Sequence, residues 1–222
     1  DTSALADSVD LILTADPVND APELIVMPDL VFLEDSSIAL NLIGFVTDID
    51  DTLSALTWSA VSGSENLDVS ISSENQVATF LPVQDYFDLG INVIFTVQDT
   101  SGATDTDTIA VTITPVNDPP VFSDVLPSIT IAEDSDVSQS ITGWYDLIAD
   151  VDDPDTSLAW SFAGFTLVTP VLDNDTVTFT PYPDWFGQEI ITVIVSDTSA
   201  LADSVELIIT VDPVNDAPVI AT

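Results

Sequence analysis

The chain has 222 residues, 46% of them hydrophobic and 8% aromatic, with 39 acidic residues, no lysine, arginine, histidine or cysteine, and a net charge of −39. A hydrophobic fraction this high separates it from disordered polyanions, and the charge excludes nucleic acid and anionic membrane surfaces as partners. Disulfides and zinc sites built on thiolate or imidazole are excluded, as is any catalytic base, nucleophile or oxyanion clamp made from His, Cys, Lys or Arg.

Taken in order, residues 1–16 carry an alternating aliphatic stripe, Val9, Leu11 and Leu13, which predicts a strand. Residues 1–22 match 197–218 at all but three positions, so this segment copies the last strand of a repeat. It ends in Pro17-Val18-Asn19-Asp20-Ala21-Pro22, which returns as Pro115-Val116-Asn117-Asp118-Pro119-Pro120 and Pro213-Val214-Asn215-Asp216-Ala217-Pro218. The spacing is 98 residues both times (115 − 17 and 213 − 115), the mark of tandem structural repeats. Two prolines in six residues remove backbone donors and fix φ, so each copy reads as a stiff junction.

Strand-like runs follow at about 23–33, 37–46, 54–61, 67–72, 76–81, 91–98 and 106–114, with period-2 alternation clearest in Val93, Phe95, Val97 and Ile109, Val111, Ile113. The second repeat shows the same face as Ile191, Val193, Val195 and Leu207, Ile209, Val211. Seven short strands in about a hundred residues predict an immunoglobulin-like sandwich. Trp58 and Trp160, on the third strand, alternate inward and are expected in the core rather than on a carbohydrate-stacking platform. Asp85-Tyr86-Phe87 and Asp184-Trp185-Phe186 are expected to plug the end of each sandwich. No stretch has a convincing helical period, and no apolar run approaches the 18 residues of a membrane helix.

The expected division is therefore 1–20, the last strand and junction of a preceding repeat; 21–118 and 119–216, two complete repeats; and 217–222, the start of another. Without side-chain cations no carboxylate can be neutralised by an ion pair, so the carboxylates must face water, accept hydrogen bonds or meet metal ions. Oxygen-only ligands are those that calcium selects.

The order Glu34-Asp35, Asp48-Ile49-Asp50-Asp51, Asp99-Thr100-Ser101-Gly102 and Asn117-Asp118-Pro119-Pro120, repeated as Glu133-Asp134, Asp150-Val151-Asp152-Asp153, Asp197 and Asn215-Asp216-Ala217-Pro218, resembles cadherin repeats. More closely still, it resembles the cadherin-like tandem repeats of giant bacterial surface proteins. The resemblance implies an all-β fold of tandem immunoglobulin-like, Greek-key β-sandwiches set end to end, with calcium between successive repeats. It carries ligand roles to Glu34, Asp85, Asn117, Asp118, Asp150, Asp152 and Asp197 at the one junction complete in this chain. Their counterparts are Asn19, Asp20, Asp48, Asp50, Asp99, Glu133, Asp184, Asn215 and Asp216. Animal cadherins have an aspartate two residues before the junction asparagine, where this chain has Pro17, Pro115 and Pro213. One carboxylate fewer implies fewer ions per junction.

The function implied is non-enzymatic: structural or adhesive modules of an extracellular, cell-surface protein or filament, stiffened by calcium. The alternative is a filament subunit assembled head to tail by strand complementation, with calcium incidental. The expected partners are other copies or repeats of the same protein, with a cell-surface or carbohydrate target elsewhere in the parent chain, and no insertion into a membrane.

Overall fold

The computed structural model describes residues 8–218. Residues 1–7 and 219–222, which fall in the expected flanking pieces 1–20 and 217–222, lie outside the described residues. The chain divides between Val116 and Asn117 into two compact units.

Unit one runs through β1 (Glu23–Leu24), β2 (Leu30–Leu33), β3 (Ile38–Asn41), β4 (Val46–Thr47), β5 (Thr57–Ser62), β6 (Leu67–Ser72), β7 (Val77–Pro82), β8 (Asp88–Gln98) and β9 (Thr104–Thr114). One sheet has the order β2-β9-β8-β5, the facing one β3-β7-β6, and β1 pairs with β4. All contacts are antiparallel except β2 with β9. Unit two repeats the plan with β10 (Val121–Phe122), β11 (Ile129–Ala132), β12 (Val137–Ser140), β13 (Ile148–Ala149), β14 (Ala159–Ala163), β15 (Val168–Asp173), β16 (Thr176–Pro181), β17 (Gly187–Ser196) and β18 (Ala202–Asp212). Its sheets are β11-β18-β17-β14, β12-β16-β15 and the pair β10-β13.

The predicted alternation places Val93, Phe95, Val97, Ile109, Val111 and Ile113 in the core of unit one, each 0% exposed. Ile191, Val193, Val195, Leu207, Ile209 and Val211 line that of unit two. At about 25 cal/mol per Å² of apolar surface, these side chains are the main stabilising term. Trp160 is buried and packs at centroid distances of 5.7–6.0 Å against Trp144, Tyr145 and Phe122. Trp58 packs partly buried against the core of unit one.

Three details depart from expectation. The run 23–33 is two strands, because Pro28 has no N–H and the chain crosses from a short pairing with β4 to a parallel pairing with β9. In between, Asp107 accepts from the Met27 N–H (2.9 Å) and Asp29 from the Ala110 N–H (2.8 Å), so the crossing is not left with bare donors. Likewise 37–46 is interrupted by a 3₁₀ turn at Leu42–Phe45, whose first turn is capped by the Asn41 side chain. Finally, only Tyr86 and Trp185 close the sandwich ends. Phe87 and Phe186, the neighbours expected to join them, are 50% and 59% exposed, since the strand that follows turns them outward.

Candidate metal centres

In unit one the acidic residues gather where the β8–β9 hairpin turns. Asp48 begins a tight Asx turn, its Oδ1 accepting from the N–H groups of Asp50 (2.9 Å) and Asp51 (2.8 Å). That turn sends the next two carboxylates to different places. Asp50 accepts from the Asp20 N–H (2.7 Å), whereas Asp51 is held by the Thr100 N–H (3.1 Å) and hydroxyl. Asp99, buried at the end of β8, accepts from the Ser101 and Ala103 N–H groups and from the Asn19 amide (2.7 Å). Oxygens of Asp48, Asp51 and Asp99 then lie within 4.8 Å of one another. Asp48 Oδ2 is buried there with no hydrogen-bond partner among the described residues. A depression lined by Pro17, Asn19, Asp50, Asp51 and Thr100 opens beside it.

Unit two builds the same centre from its own residues. Asp150 Oδ1 accepts from the Asp152 and Asp153 N–H groups (both 2.9 Å), and its Oδ2 is buried and unpartnered. Asp152 accepts from the Asp118 N–H (2.8 Å), and Asp153 from the Thr198 hydroxyl (2.9 Å). Asp197 accepts from the Asn117 amide (2.6 Å) and the Ser199 and Leu201 N–H groups (2.8 Å each). Oxygens of Asp150, Asp153 and Asp197 lie within 4.8 Å of one another.

The hydrogen bonds show in the acidities. The Asn19 amide and three backbone N–H groups hold the Asp99 carboxyl below the ordinary aspartate value, against the opposing effect of burial. Burial is the largest influence on Asp197 and pushes it up, but the Asn117 amide and the backbone N–H groups together outweigh it, so its acidity is also raised. Both stay ionised at neutral pH, as metal ligands must.

A second acidic group forms at the far end of the long strands. Glu34 and Glu133 are almost fully buried, and Oε1 of each accepts from the Val116 (2.6 Å) or Val214 (2.7 Å) N–H group, which ties down the chain that leaves β9 and β18. Asp35 Oδ1 accepts from the Asp85 N–H (3.0 Å), and both residues sit at a left-handed φ of 57°. In unit two, oxygens of Asp134, Asp184 and Asp216 lie within 4.8 Å of one another, all three exposed. Asn215 donates to the backbone carbonyl of Asp216 (3.1 Å).

The sequence expectation named Asp48 with Asp50, and Asp150 with Asp152. The structure gathers Asp51 and Asp153 with Asp48/Asp99 and Asp150/Asp197, while Asp50 and Asp152 accept from the Asp20 and Asp118 N–H groups, and it adds Asp134 at the other end of unit two. The signal was present, since the fourth residue of Asp48-Ile49-Asp50-Asp51 recurs as Asp153 and its threonine partner recurs too, as Thr100 and Thr198. Among the described residues the side-chain groups at these three-carboxylate clusters are carboxylates, amides and hydroxyls, an oxygen donor set suited to a hard cation such as calcium.

The family model described as bacterial Ig domain matches residues 19–112 and 117–210. No curated protein matches the sequence. Among solved structures, the human desmocollin-1 ectodomain is 14% identical, with 90% of this chain and 42% of that one covered at a TM-score of 0.47. Mouse cadherin-23 repeats EC22-24 are 18% identical, covering 88% of this chain and 65% of that one, also at 0.47. An endo-fucoidan hydrolase of glycoside hydrolase family 107 is 17% identical at a TM-score of 0.38, and the chain spans only 30% of its length.

Proposed function

The chain belongs to the bacterial Ig-domain family, in two tandem copies, and from that premise we propose that it is a non-enzymatic structural or adhesive module of an extracellular surface protein, stiffened by calcium at the ends of its repeats. One observation carries the reading: each unit buries a carboxylate oxygen, Asp48 Oδ2 or Asp150 Oδ2, without a hydrogen-bond partner and among two other carboxylates, in a chain with no cationic side chain. An isolated buried charge is costly, and like charges this close raise the cost further. A bound divalent cation supplies the missing positive charge.

In this reading Asp48, Asp51 and Asp99, and in the second repeat Asp150, Asp153 and Asp197, hold the ion. Asn19 and Asn117 orient Asp99 and Asp197 through their amides, while Asp50 and Asp152 fix the junction backbone through the Asp20 and Asp118 N–H groups. Asp35 with Asp85, and Asp134 with Asp184 and Asp216, supply acidic groups at the other end of a repeat. Glu34 and Glu133 anchor the departing chain beside them. An ion held there fixes the turns to which the junction residues Asn19, Asp20, Asn117 and Asp118 are hydrogen-bonded, and so stiffens the junction. Extracellular modules bind calcium with dissociation constants of about 10⁻⁴ to 10⁻³ M, so the stiffness would follow the calcium of the surroundings.

The segment 113–120 is where this reading is tested. Backbone amide exchange there is expected to slow when calcium replaces chelator and to stay fast with Asp150→Asn/Asp153→Asn, whose sandwich cores remain protected. Equal exchange with and without calcium in the parent chain overturns the reading.

A second reading concerns partners. Residues 9–15 repeat the sequence pattern of β18, yet Val9, Leu11, Ile12 and Leu13 are 81–92% exposed and form no strand. Folded proteins avoid leaving such a stripe open. This supports head-to-tail contact with another copy or repeat, in which the segment completes a sandwich.

A further inference from the structure

The acidic residues of unit one are unevenly spread, and one broad face has none. Along β8 and β9 the burial alternates, so Asn92, Ile94, Thr96, Thr108, Ala110 and Thr112 face away from the core. Strand register aligns Val61, Ile94 and Thr108 in one row across β5, β8 and β9, and sets Val31 beside Thr112 and Leu33 beside Thr114. None of the residues that these four strands turn outward is acidic, whereas the aspartates of β9, Asp105 and Asp107, have the opposite parity and accept from the Leu24 and Met27 N–H groups. The face is neutral and partly apolar, with aliphatic side chains among threonines: Val31, Val61 and Leu89 are 65%, 65% and 73% exposed. Its counterpart in unit two carries Glu206 and Asp212, so neutrality is not simply a property of the fold.

We propose that this outer face of the β2-β9-β8-β5 sheet packs against the same face of a second copy of the chain. The choice of partner follows from charge. A cationic protein would be drawn to the acidic ends and loops, not to the one broad face that offers it nothing. A second copy is itself a polyanion of −39, and it can approach closely only where neither surface carries a carboxylate. Two such sheets stacked about 10 Å apart form an isologous contact, with the acidic loops kept at its rim. Four strands about 4.8 Å apart and about six residues long give a face of roughly 400 Å², half the roughly 800 Å² per partner of a standard stable interface. The contact is therefore weak for one pair of chains. It does not depend on the calcium reading.

Sedimentation equilibrium of the full chain in chelator, up to about millimolar concentration, tests it. The weight-average mass is expected to rise towards that of a dimer, more strongly in about 0.5 M salt, which screens the remaining repulsion. Val61→Asp/Ile94→Asp should raise the dissociation constant at least about tenfold with an unchanged circular dichroism spectrum. Thr108→Glu, which replaces an exposed polar side chain on the same row, should do the same without threatening the fold. Leu11→Asp/Leu13→Asp, which disables the head-to-tail contact, should leave this face-to-face dimer intact and is the background in which the Val61, Ile94 and Thr108 variants are compared. A parent chain that stays monomeric throughout overturns the proposal. So does association that survives a carboxylate on the Val61-Ile94-Thr108 row, is lost only when Leu11 and Leu13 are changed, or gives way to binding of a neutral polysaccharide on the same face.

Discussion

At the scale of single residues, the aspartates that close the two hairpins explain how a chain without cations keeps carboxylates buried. Asp99 and Asp197 are 5% and 6% exposed, and each is surrounded by amide donors, which stabilise the anion without a counter-charge. Their folded-state values lie below the unfolded value of about 3.9, so the stability they contribute is fully present above that pH and is lost as pH falls through the lower folded values. In chelator, side-chain carboxyl resonances of Asp99 and Asp197 should titrate with midpoints below about 3.9, and a midpoint above it would contradict the hydrogen-bond account. The same turns differ in one respect. Gly102 takes φ 93° in the first hairpin, whereas the second places Ala200 at φ 69°, where an L side chain is strained. Ala200→Gly should therefore leave unit two unchanged or up to about 1 kcal/mol more stable in denaturant melts, while the same change at an exposed strand position destabilises.

Among the elements, β17 holds the clearest departure from strict repetition. Glu189 occupies the position that Ile91 takes in β8, and it is buried. Burial is the largest influence on it and opposes ionisation, but it accepts from the N–H groups of Thr166, Leu167 and Val168 and from the Thr166 hydroxyl, and the net effect lowers its value. One carboxylate thus satisfies a loop whose donors would otherwise be orphaned. Glu189→Ala should destabilise unit two by about 2–4 kcal/mol and leave unit one untouched. It should also flatten the acid dependence of unit two, because the lowered value makes this contribution present above about pH 4.3 and lost as pH falls below it. Equal losses in both units, or an unchanged acid slope, would contradict this.

Nothing in the sequence around 189 announces that role. The glutamate interrupts an aliphatic alternation, and its donors sit more than twenty residues away in a loop without regular pattern. The strands themselves were legible because Val, Ile and Phe alternate over whole elements. The crossing at Pro28 and the 3₁₀ turn at Leu42–Phe45 were not, because aliphatic residues continue through both and periodicity cannot see which sheet a strand joins. For the acidic centres the sequence order was enough to find the neighbourhood. Assigning Asp51 rather than Asp50 needed the Asx turn at Asp48, a backbone feature that spacing alone does not reveal.

For the whole molecule, the 98-residue spacing of the junctions and last strands goes with two units that share one core plan, one hairpin and acidic groups at both ends. In the proposed reading the charge has a use. Carboxylates concentrate at the ends, where a cation can gather them, while the sheet faces carry mostly threonine, serine and aliphatic side chains. A chain organised this way should be more stable with calcium than without, by an amount set by the ratio of free ion to dissociation constant, roughly 1.4 kcal/mol per site at a tenfold excess. The most direct measurement is isothermal titration of the chain with calcium, compared with Asp48→Asn/Asp99→Asn and Asp150→Asn/Asp197→Asn. The parent chain should bind calcium in the millimolar range or tighter, and each double variant should lose the site of its own repeat while keeping the other. Parent and variants that take up calcium identically, or a parent that takes up none at about 10 mM, would contradict the account.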